Sequence, residues 1–342
     1  MRTSLIAIFS FFVATVTADA VQLEYHHDGV SARVSGYGTI GVIEPDFAIN
    51  NAAFLDDWSL RGQLTYDADD THRLGFVYSL DQHTVDDDKY IHDLFALWQV
   101  KGLGRLEIGL TDSVAEKLSL GLPDVGGLRM NDHPLIYKEI KPNGAIISDT
   151  TLKSGFSVPR VNVVSAQNGG IQYGLSVAGL SDDYNFTLDG GIKIRNSDGK
   201  TKTAYSISAS FMSRPDNFEQ AHYSPRVTSD WRAQIAAAIN VQYNSFMFAL
   251  TGRAIYDKDP VGVASDGIIF GTGVSYDLLK YTVSLSYMFS DTGVWQKDVD
   301  DFQNHIVVSS FRYKYSENVD GWMSVGMSTK TPFLAAGMRV TF

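Results

Sequence analysis

Apolar and polar residues alternate along most of this sequence, and this alternation constrains the fold more than any other feature. Between residues 281 and 289, one set of alternate positions holds Tyr, Val, Leu, Tyr and Phe, while the positions between them begin with Thr, Ser and Ser. Because successive side chains of a β-strand point to opposite faces, this pattern predicts a strand with one apolar and one polar face. The pattern recurs along the chain, and no comparable helical stripe follows residue 20. The chain is therefore predicted to be all-β.

Counting the alternating segments predicts sixteen strands. They lie at 31–43, 57–67, 72–80, 90–101, 103–111, 150–157, 170–179, 184–195, 202–212, 233–244, 246–256, 267–277, 279–289, 303–315, 319–328 and 332–342. Many connections alternate between tight turns and long polar stretches, such as 44–56, 213–232 and 290–302. Short turns at one end and long loops at the other are typical of a transmembrane antiparallel β-barrel.

The first twenty residues predict export. Arg2 precedes an apolar run at 5–16, which is followed by the small-x-small pattern Ala18-Asp19-Ala20. This arrangement indicates a signal peptide at 1–20 and a mature chain at 21–342. An uncleaved anchor is the alternative, but the run is shorter than the roughly 20 residues of a spanning helix. No later apolar run reaches about 18 residues, so the mature chain is either soluble or a closed barrel.

The chemistry of the two faces favours the barrel over a soluble β-sandwich. A sandwich core is usually rich in Val, Ile and Leu, whereas aromatic residues here cluster towards the strand ends. They include Trp58, Tyr66, Tyr243, Tyr256, Tyr276, Tyr281, Tyr313 and Tyr315. Such aromatics suit the two interfacial girdles of a bilayer, and arginines on the opposite faces suit a water-filled lumen. A soluble secreted β protein remains the alternative fold.

Composition excludes several classes of function. The chain has 28 Lys and Arg residues against 39 Asp and Glu, a formal net charge of −11 and no Cys. This balance argues against a nucleic-acid partner, and the lack of Cys excludes disulfides, thiolate metal sites and a Cys nucleophile. The eight His residues fall mostly at strand ends or in loops, and no Gly-x-Ser-x-Gly motif is present. We predict no enzyme activity, no cofactor and no metal site.

The end of the chain carries a specific signal. Leu334, Ala336, Met338, Val340 and the terminal Phe342 alternate with smaller or polar residues. The last residue is thus an aromatic on the predicted lipid-facing side. A terminal Phe after alternating apolar residues resembles the assembly signal of bacterial outer-membrane barrels. Met338, Val340 and Phe342 are therefore predicted to be recognised by the barrel assembly machinery.

Several local motifs resemble a known family. The stretch from Leu94 to Leu110 looks like two porin strands joined by a tight glycine turn. The Leu122–Gly127 segment, Leu-Pro-Asp-Val-Gly-Gly, is similar to the Pro-Glu-Phe-Gly-Gly tip of the porin third loop, with Asp in place of Glu and Val in place of Phe. Residues 155–160 and 169–176 look like porin strands six and seven. The chain resembles the Gram-negative general porins over essentially the whole mature sequence.

The resemblance implies a sixteen-stranded barrel whose long third loop, at about 112–148, folds into the lumen and narrows it. It also implies a constriction where loop acids face arginines of the early strands across the lumen. The acids are Glu116, Asp124, Asp132 and Glu139, and the arginines are Arg33, Arg61, Arg73 and Arg105. Opposed charges of this kind create a transverse field that filters ions. In the alternative interpretation, the arginines pair with lumenal acids such as Asp67, Glu107 and Asp189.

The predicted function is passive diffusion of small hydrophilic solutes and ions across the bacterial outer membrane. The family implies a homotrimer, in contact with outer-membrane lipid and lipopolysaccharide. A sugar-selective porin is one alternative, with Tyr37 or Phe95 in an aromatic strip inside the lumen. A surface adhesion or binding barrel is the other, supported only by acidic loops.

Overall fold

The computed structural model describes residues 23–45, 53–83, 86–123, 125, 158–179, 186–213, 231–258, 264–291, 303–328 and 331–342. In this part of the chain it forms seventeen β-strands and one short helix. The strands are β1 Leu23–His27, β2 Val30–Pro45, β3 Ala53–Asp67, β4 His72–His83, β5 Asp86–Val100, β6 Gly104–Thr111, β7 Val158–Ser165, β8 Ile171–Ala178, β9 Thr187–Asp198, β10 Thr201–Ser213, β11 Trp231–Tyr243, β12 Phe246–Lys258, β13 Ala264–Leu278, β14 Tyr281–Asp291, β15 Gln303–Lys314, β16 Val319–Ser328 and β17 Thr331–Thr341. Helix α1 is Val114–Leu118.

Strands β2 to β17 form a closed antiparallel barrel. Each pairs with the next along the chain, and β17 closes the ring on β2, from Phe333 opposite Pro45 to Thr341 opposite Tyr37. This confirms the prediction of a sixteen-stranded barrel. The short strand β1 was not predicted; it pairs with the first five residues of β2, just beyond the point where β17 ends. No helix in the described residues is both long and apolar enough to cross a membrane.

The two faces of the strands differ as the alternation predicts. In β14, Tyr281, Val283 and Leu285 are exposed on the outer face, while Thr282 and Ser284 are buried on the inner face. The large exposed apolar side chains of the other strands share the outward parity. Small polar side chains recur on the inner face, and buried examples include Thr65, Ser79, Ser176, Ser206, Ser208, Ser210, Thr251, Ser275, Ser286, Ser310 and Ser324. A barrel with an apolar outside and a polar inside follows.

Eight turns of two to five residues lie at one end of the barrel, which we term the short-turn end. They are residues 28–29, 68–71, 101–103, 166–170, 199–200, 244–245, 279–280 and 315–318. Asn244 and Leu279 open two of the two-residue turns with positive φ angles of 50° and 54°. Positive φ at the first turn residue matches the right-handed twist of the flanking strands. The long connections meet at the opposite end, which we term the loop end and which also carries the two-residue connections at 84–85 and 329–330.

One predicted strand is misplaced. The strand that follows the long third connection is β7, Val158–Ser165, rather than 150–157, and residues 151–157 lie outside the described residues. Most of the predicted third loop at 112–148 and the whole predicted strand at 150–157 lie outside the described residues. Val161, Val163 and Val164 occupy both faces of β7, and this conceals the period of two. The inward positions 160, 162 and 164 become evident only from the pairing with β6 and β8.

Candidate functional site

Helix α1 begins the third connection and lies against the inner wall of the barrel. Ser113 caps it, because its hydroxyl accepts a hydrogen bond from the Glu116 N–H at 3.1 Å. Val114 and Leu118 are buried with Val164 of β7 in a small apolar cluster. The helix packs on β7 to β10. The third connection thus enters the lumen immediately after β6.

A buried ion pair of the wall holds the start of this helix. The Asp189 carboxylate on β9 accepts the Ala115 N–H at 3.0 Å and lies 3.4 Å from Arg160 Nη1 on β7. Both charged side chains are fully buried. The Ser176 hydroxyl donates a third hydrogen bond to Asp189 at 3.2 Å. Asp189 therefore satisfies a free N–H of the first helical turn and places negative charge at the positive end of the helix.

A second carboxylate, Glu107 of β6, holds the other side of the helix. It is 3% exposed and forms ion pairs with Arg105 at 2.7 Å and with Lys117. Lys117 also donates to the Thr111 hydroxyl at 2.7 Å. Asn162 of β7 bonds both Glu107 and the carbonyl of residue 112, each at 2.9 Å. Strands β6 and β7 and the helix thus share one polar network.

Beyond the helix, residues 119–123 continue along the wall towards β14. Asn240 of β11 bonds the Gly121 carbonyl, and Ser286 of β14 bonds the Pro123 carbonyl, each at 3.4 Å. Pro123 lies over Gly273, where an added Cβ would come within 2.8 Å of the proline Cδ. Glycine is required at this position because the loop backbone approaches the strand so closely. The described part of the third connection therefore follows the inner wall from β6 to β14.

The predicted arginines have inward parity, and three of them are paired. Arg61 lies 3.3 Å from Asp93, Arg73 lies 2.5 Å from Asp67, and Arg105 bonds Glu107. These contacts support the alternative in which the arginines pair with lumenal acids, and Asp189 pairs with Arg160 instead. The paired side chains of Arg61 and Arg105 are still 49% and 41% exposed, so they remain accessible from the lumen.

The remaining predicted residues fall into two groups. Arg33 is exposed near the short-turn end of β2, and Glu116 is partly exposed on α1. Asp124, Asp132 and Glu139 lie outside the described residues, so the opposition of charges that the resemblance implies is not visible in the described part of the lumen.

Sequence reasoning missed several inner-wall groups that the fold brings together. Asp93, Lys117, Asn162 and Lys193 were not singled out, although the inward parity of Asp93, Asn162 and Lys193 is readable once each strand is placed. The aromatic candidates are not equivalent. Tyr37 donates to Asp57 at 3.3 Å beneath Arg339, whereas Phe95 is 4% exposed and covered by Lys117. No group of three or more metal-binding side chains is found in the described residues.

Comparisons with known proteins agree with this architecture. The model of the Gram-negative porin family matches residues 12–330, and no curated protein matches the sequence. OmpT of Vibrio cholerae in its trimer form superposes with a TM-score of 0.69 at 9% identity, covering 92% of this chain and 100% of that chain. The anion-selective porin from Comamonas acidovorans gives 0.64 at 12% identity, with 92% and 100% covered. Salmonella typhi OmpF, in complex with daunomycin, gives 0.63 at 9% identity, with 94% and 100% covered.

Proposed function

Because this chain belongs to the Gram-negative porin family, whose members are outer-membrane channels, we propose that it lets small hydrophilic solutes and ions diffuse passively across the outer membrane. The observation that carries the proposal is the third connection lying on the inner wall of a sixteen-stranded barrel. Its first turn is held by the buried Asp189 and by Glu107. We propose that this segment, held at several points inside a polar lumen, narrows the lumen without closing it.

The proposed selectivity depends on the charges that reach the lumen from both sides. Glu116 lies on the third connection, and the half-exposed Arg61 and Arg105 lie on β3 and β6. We propose that Asp124, Asp132 and Glu139 add to the acidic side, and Arg33 and Arg73 to the basic side. Because Arg61, Arg73 and Arg105 each have a carboxylate partner, we expect weak rather than strong ion selectivity.

A general diffusion channel is favoured over a sugar-selective one. An aromatic strip that guides sugars has to expose the faces of several rings to the lumen. Phe95 is buried under the Lys117 ammonium, 5.0 Å from the ring centroid. Tyr37 is stacked beneath Arg339, at 4.5 Å. Neither ring is therefore free to stack on a sugar.

We also propose a homotrimer that associates through the outer face of β2, β3 and β17. An apolar cavity of about 450 Å³ lies on this face. Its lining includes Ile40, Trp58, Leu60, Met338, Val340 and Phe342. A concave apolar surface is suited to packing against a second copy of the chain, and one relative, OmpT of Vibrio cholerae, is described in a trimer form.

We further propose how the protein is exported and inserted into the outer membrane. Residues 1–20 are removed, so that the mature chain begins at Val21, and the barrel assembly machinery recognises Met338, Val340 and Phe342. The short-turn end then faces the periplasm and the loop end faces outward, among lipopolysaccharide. Mass spectrometry of the purified protein tests the cleavage site directly.

The channel is tested by recording single molecules of the detergent-purified protein in a planar bilayer under a KCl gradient. We expect open steps whose conductance rises with salt concentration, and a small reversal potential. Replacing Glu116→Gln should move the reversal potential towards anion preference, because it removes a negative charge from the lumen. The matched control Glu317→Gln, in the turn at 315–318, should leave it unchanged. Absence of conductance from protein with the heat-modifiable mobility of a folded barrel would overturn the proposal.

A further inference from the structure

Three cationic side chains cluster on the inner wall between α1 and the short-turn end. Lys193 and Arg195 share the inward face of β9, and Lys202 lies on the inward face of the adjacent β10. In the register of this hairpin, Lys193 is opposite Ser206 and Arg195 is opposite Ala204. We call these three residues the cationic patch.

The cationic patch has no acidic partner in the part of the chain that the structure describes. Lys193 is 7% exposed, and its ammonium contacts only a carbonyl oxygen, that of Lys117, at 3.4 Å. The nearby buried carboxylates are already used: Glu107 pairs with Arg105 and Lys117, and Asp189 pairs with Arg160. In the described part of the wall around α1, the buried carboxylates Glu107 and Asp189 are therefore paired with cations, whereas the buried ammonium of Lys193 has no carboxylate partner.

Neutral polar groups surround the patch on the inward face. Gln172 of β8 is the cross-strand partner of Lys193, and Gln242 of β11 is the partner of Lys202. Asn240 of β11 lies between them and α1, where it bonds the Gly121 carbonyl. Ammonium, guanidinium and amide donors together match the oxygen atoms of a phosphate or carboxylate. A buried cation without a counter-ion is costly, and an anion in the lumen would remove that cost.

We propose that the cationic patch is a binding subsite for small oxyanions, phosphate above all, that pass through the lumen. The proposal rests on the proposed channel function and names one class of solute that the channel retains. The subsite is separate from the predicted constriction, because Arg61, Arg73 and Arg105 lie on β3, β4 and β6 and each pairs with a carboxylate. Arg195 and Lys202 are exposed, so an anion can reach the patch from the short-turn end.

The test uses the purified protein with Lys193→Gln, Arg195→Gln and the double substitution. The matched control is Lys200→Gln, which removes the same charge from the turn of the same hairpin, off the inner wall. Chloride current through single channels is recorded while inorganic phosphate is added on either side. We expect phosphate to reduce the current saturably in the unsubstituted protein, more effectively from one side. Each patch substitution should raise the half-blocking concentration about tenfold, the effect of losing one charged hydrogen bond, and Lys200→Gln should not.

Calorimetric titration of the same proteins with phosphate in detergent provides a readout that does not depend on conductance. Heat of binding that is lost in Lys193→Gln and Arg195→Gln but kept in Lys200→Gln supports the subsite. If the unsubstituted protein conducts but phosphate neither blocks it nor binds, the subsite is wrong while the channel stands. If the folded protein does not conduct, the channel is wrong, and the calorimetric result decides on the subsite alone. Heat-modifiable mobility of each variant confirms that it has folded.

Discussion

At the scale of single residues, the inner wall uses its buried carboxylates as anchors for the third connection. Asp189 holds the first turn of α1 and neutralises Arg160, while Glu107 gathers Arg105 and Lys117. A buried ion pair contributes little net stability compared with an apolar pair, but removal of one partner leaves the other charge buried without a counter-ion. The Asp189–Arg160 pair therefore fixes the position of α1. Its effect on stability becomes measurable when one of the two residues is replaced.

Replacing Asp189→Ala should destabilise the barrel by about 3–5 kcal/mol, because Arg160 is left buried without its counter-ion. Unfolding in urea of protein reconstituted in lipid measures the change. Asp189→Asn should cost less, because its amide oxygen can still accept the Ala115 N–H. The control Asp198→Ala removes an exposed carboxylate at the end of the same strand. Equal stability of Asp189→Ala and Asp198→Ala would contradict the anchoring role.

A change of Gly273→Leu should displace residues 119–123 from the wall and alter the conductance. Even a Cβ would meet Pro123 Cδ at 2.8 Å and the Ser286 hydroxyl at 2.7 Å, so the larger side chain cannot fit beneath the loop. Overpacking of this kind costs about 1–3 kcal/mol, which the barrel can absorb. Gly252→Leu is the control, because its Cβ would meet its nearest atom at 3.9 Å. Identical single-channel conductance in both variants would show that the loop does not rest on Gly273.

At the scale of elements, the short-turn end is built from compact local structures. The turn between β3 and β4 is organised by Asp69, whose carboxylate accepts hydrogen bonds from the Thr71 hydroxyl at 2.6 Å, the Thr71 N–H at 2.7 Å and the His72 N–H at 2.8 Å. These hydrogen bonds hold the pKa of Asp69 well below its usual range, and the bond from the Thr71 hydroxyl has the largest effect. The turn is thus defined by a charged acceptor outside the membrane-spanning strands.

The lowered pKa predicts how this turn responds to acid. A carboxyl group whose pKa is depressed by folding stabilises the folded turn above its unfolded pKa of about 3.9 and loses that contribution as the pH falls through the folded value. We therefore expect the Thr71 and His72 amides to stay protected from hydrogen exchange at pH 4 as at pH 7. Asp69→Ala should lose this protection at both values. If the Thr71 and His72 amides are as well protected in Asp69→Ala as in the unsubstituted protein, Asp69 does not organise this turn.

The last strand, β17, closes the barrel and carries the predicted assembly signal. Phe342 exchanges backbone hydrogen bonds with Gly36 of β2, at 2.9 and 3.0 Å. Its ring lies over Gly36, where a Cβ would come within 2.8 Å of the ring. The terminal aromatic residue is therefore exposed at the outer seam where the first and last barrel strands meet.

Replacing Phe342→Ala should reduce the amount of folded barrel in the outer membrane several-fold and leave refolding in detergent nearly unchanged. The reason is that the proposed recognition of Phe342 depends on its aromatic side chain, whereas the closing backbone bonds do not. Phe311→Ala is the control, because Phe311 is also exposed on the outer face, on β15. The two variants are compared by heat-modifiable electrophoresis of membrane fractions. An equal loss in both would reduce the role of Phe342 to packing alone.

At the scale of the whole molecule, the outside of the barrel is not uniform. Most outward apolar side chains are well exposed, whereas Met338 is 8% exposed, and the face around it encloses the cavity over β2, β3 and β17. Small residues, including Gly38, leave this face concave. We therefore expect a second copy of the chain to pack against this concave apolar face over β2, β3 and β17.

Filling this face with Gly38→Trp should weaken the trimer while the barrel still folds and conducts. An added Cβ at Gly38 meets no atom within 4 Å, so the indole can project outward into the space a neighbour would occupy. Gly252→Trp places the same side chain outward on β12, where the nearest atom is 3.9 Å from the Cβ. We expect light scattering in detergent to give a smaller assembly for Gly38→Trp only. Trimers of equal stability in both variants would place the interface elsewhere.

Sequence reasoning predicted the strands well because their signal is local. In β14 and β17, apolar residues recur at every second position with polar or small residues between them. This alternation identifies both the strand and its outward face. The same reasoning misplaced the strand after the third connection, because β7 has valine on both faces. It also missed β1, whose five residues are defined only by pairing with β2.

The candidate site was less predictable than the fold. The arginines Arg61, Arg73 and Arg105 were correctly assigned to the inner face, but their carboxylate partners could not be chosen from the sequence. Lys117 was missed because it becomes a neighbour of Glu107 only when the third connection turns back onto the wall, and Asn162 was missed because it is opposite Glu107 only in the register of β6 and β7. Asn162 is 55 residues from Glu107, and Ala115 is 74 residues from Asp189.

The sequence by itself therefore determined fifteen of the sixteen barrel strands, the faces that most of their side chains occupy and the two ends of the barrel. Those features follow from the period of two and from turn residues, which act over a few neighbouring positions. Only the tertiary structure decided which lumenal charges are neutralised, where residues 112–123 lie and that Lys193 has no carboxylate partner among the described residues. Those features depend on strand register and on the close approach of segments far apart in the chain, which no local pattern records.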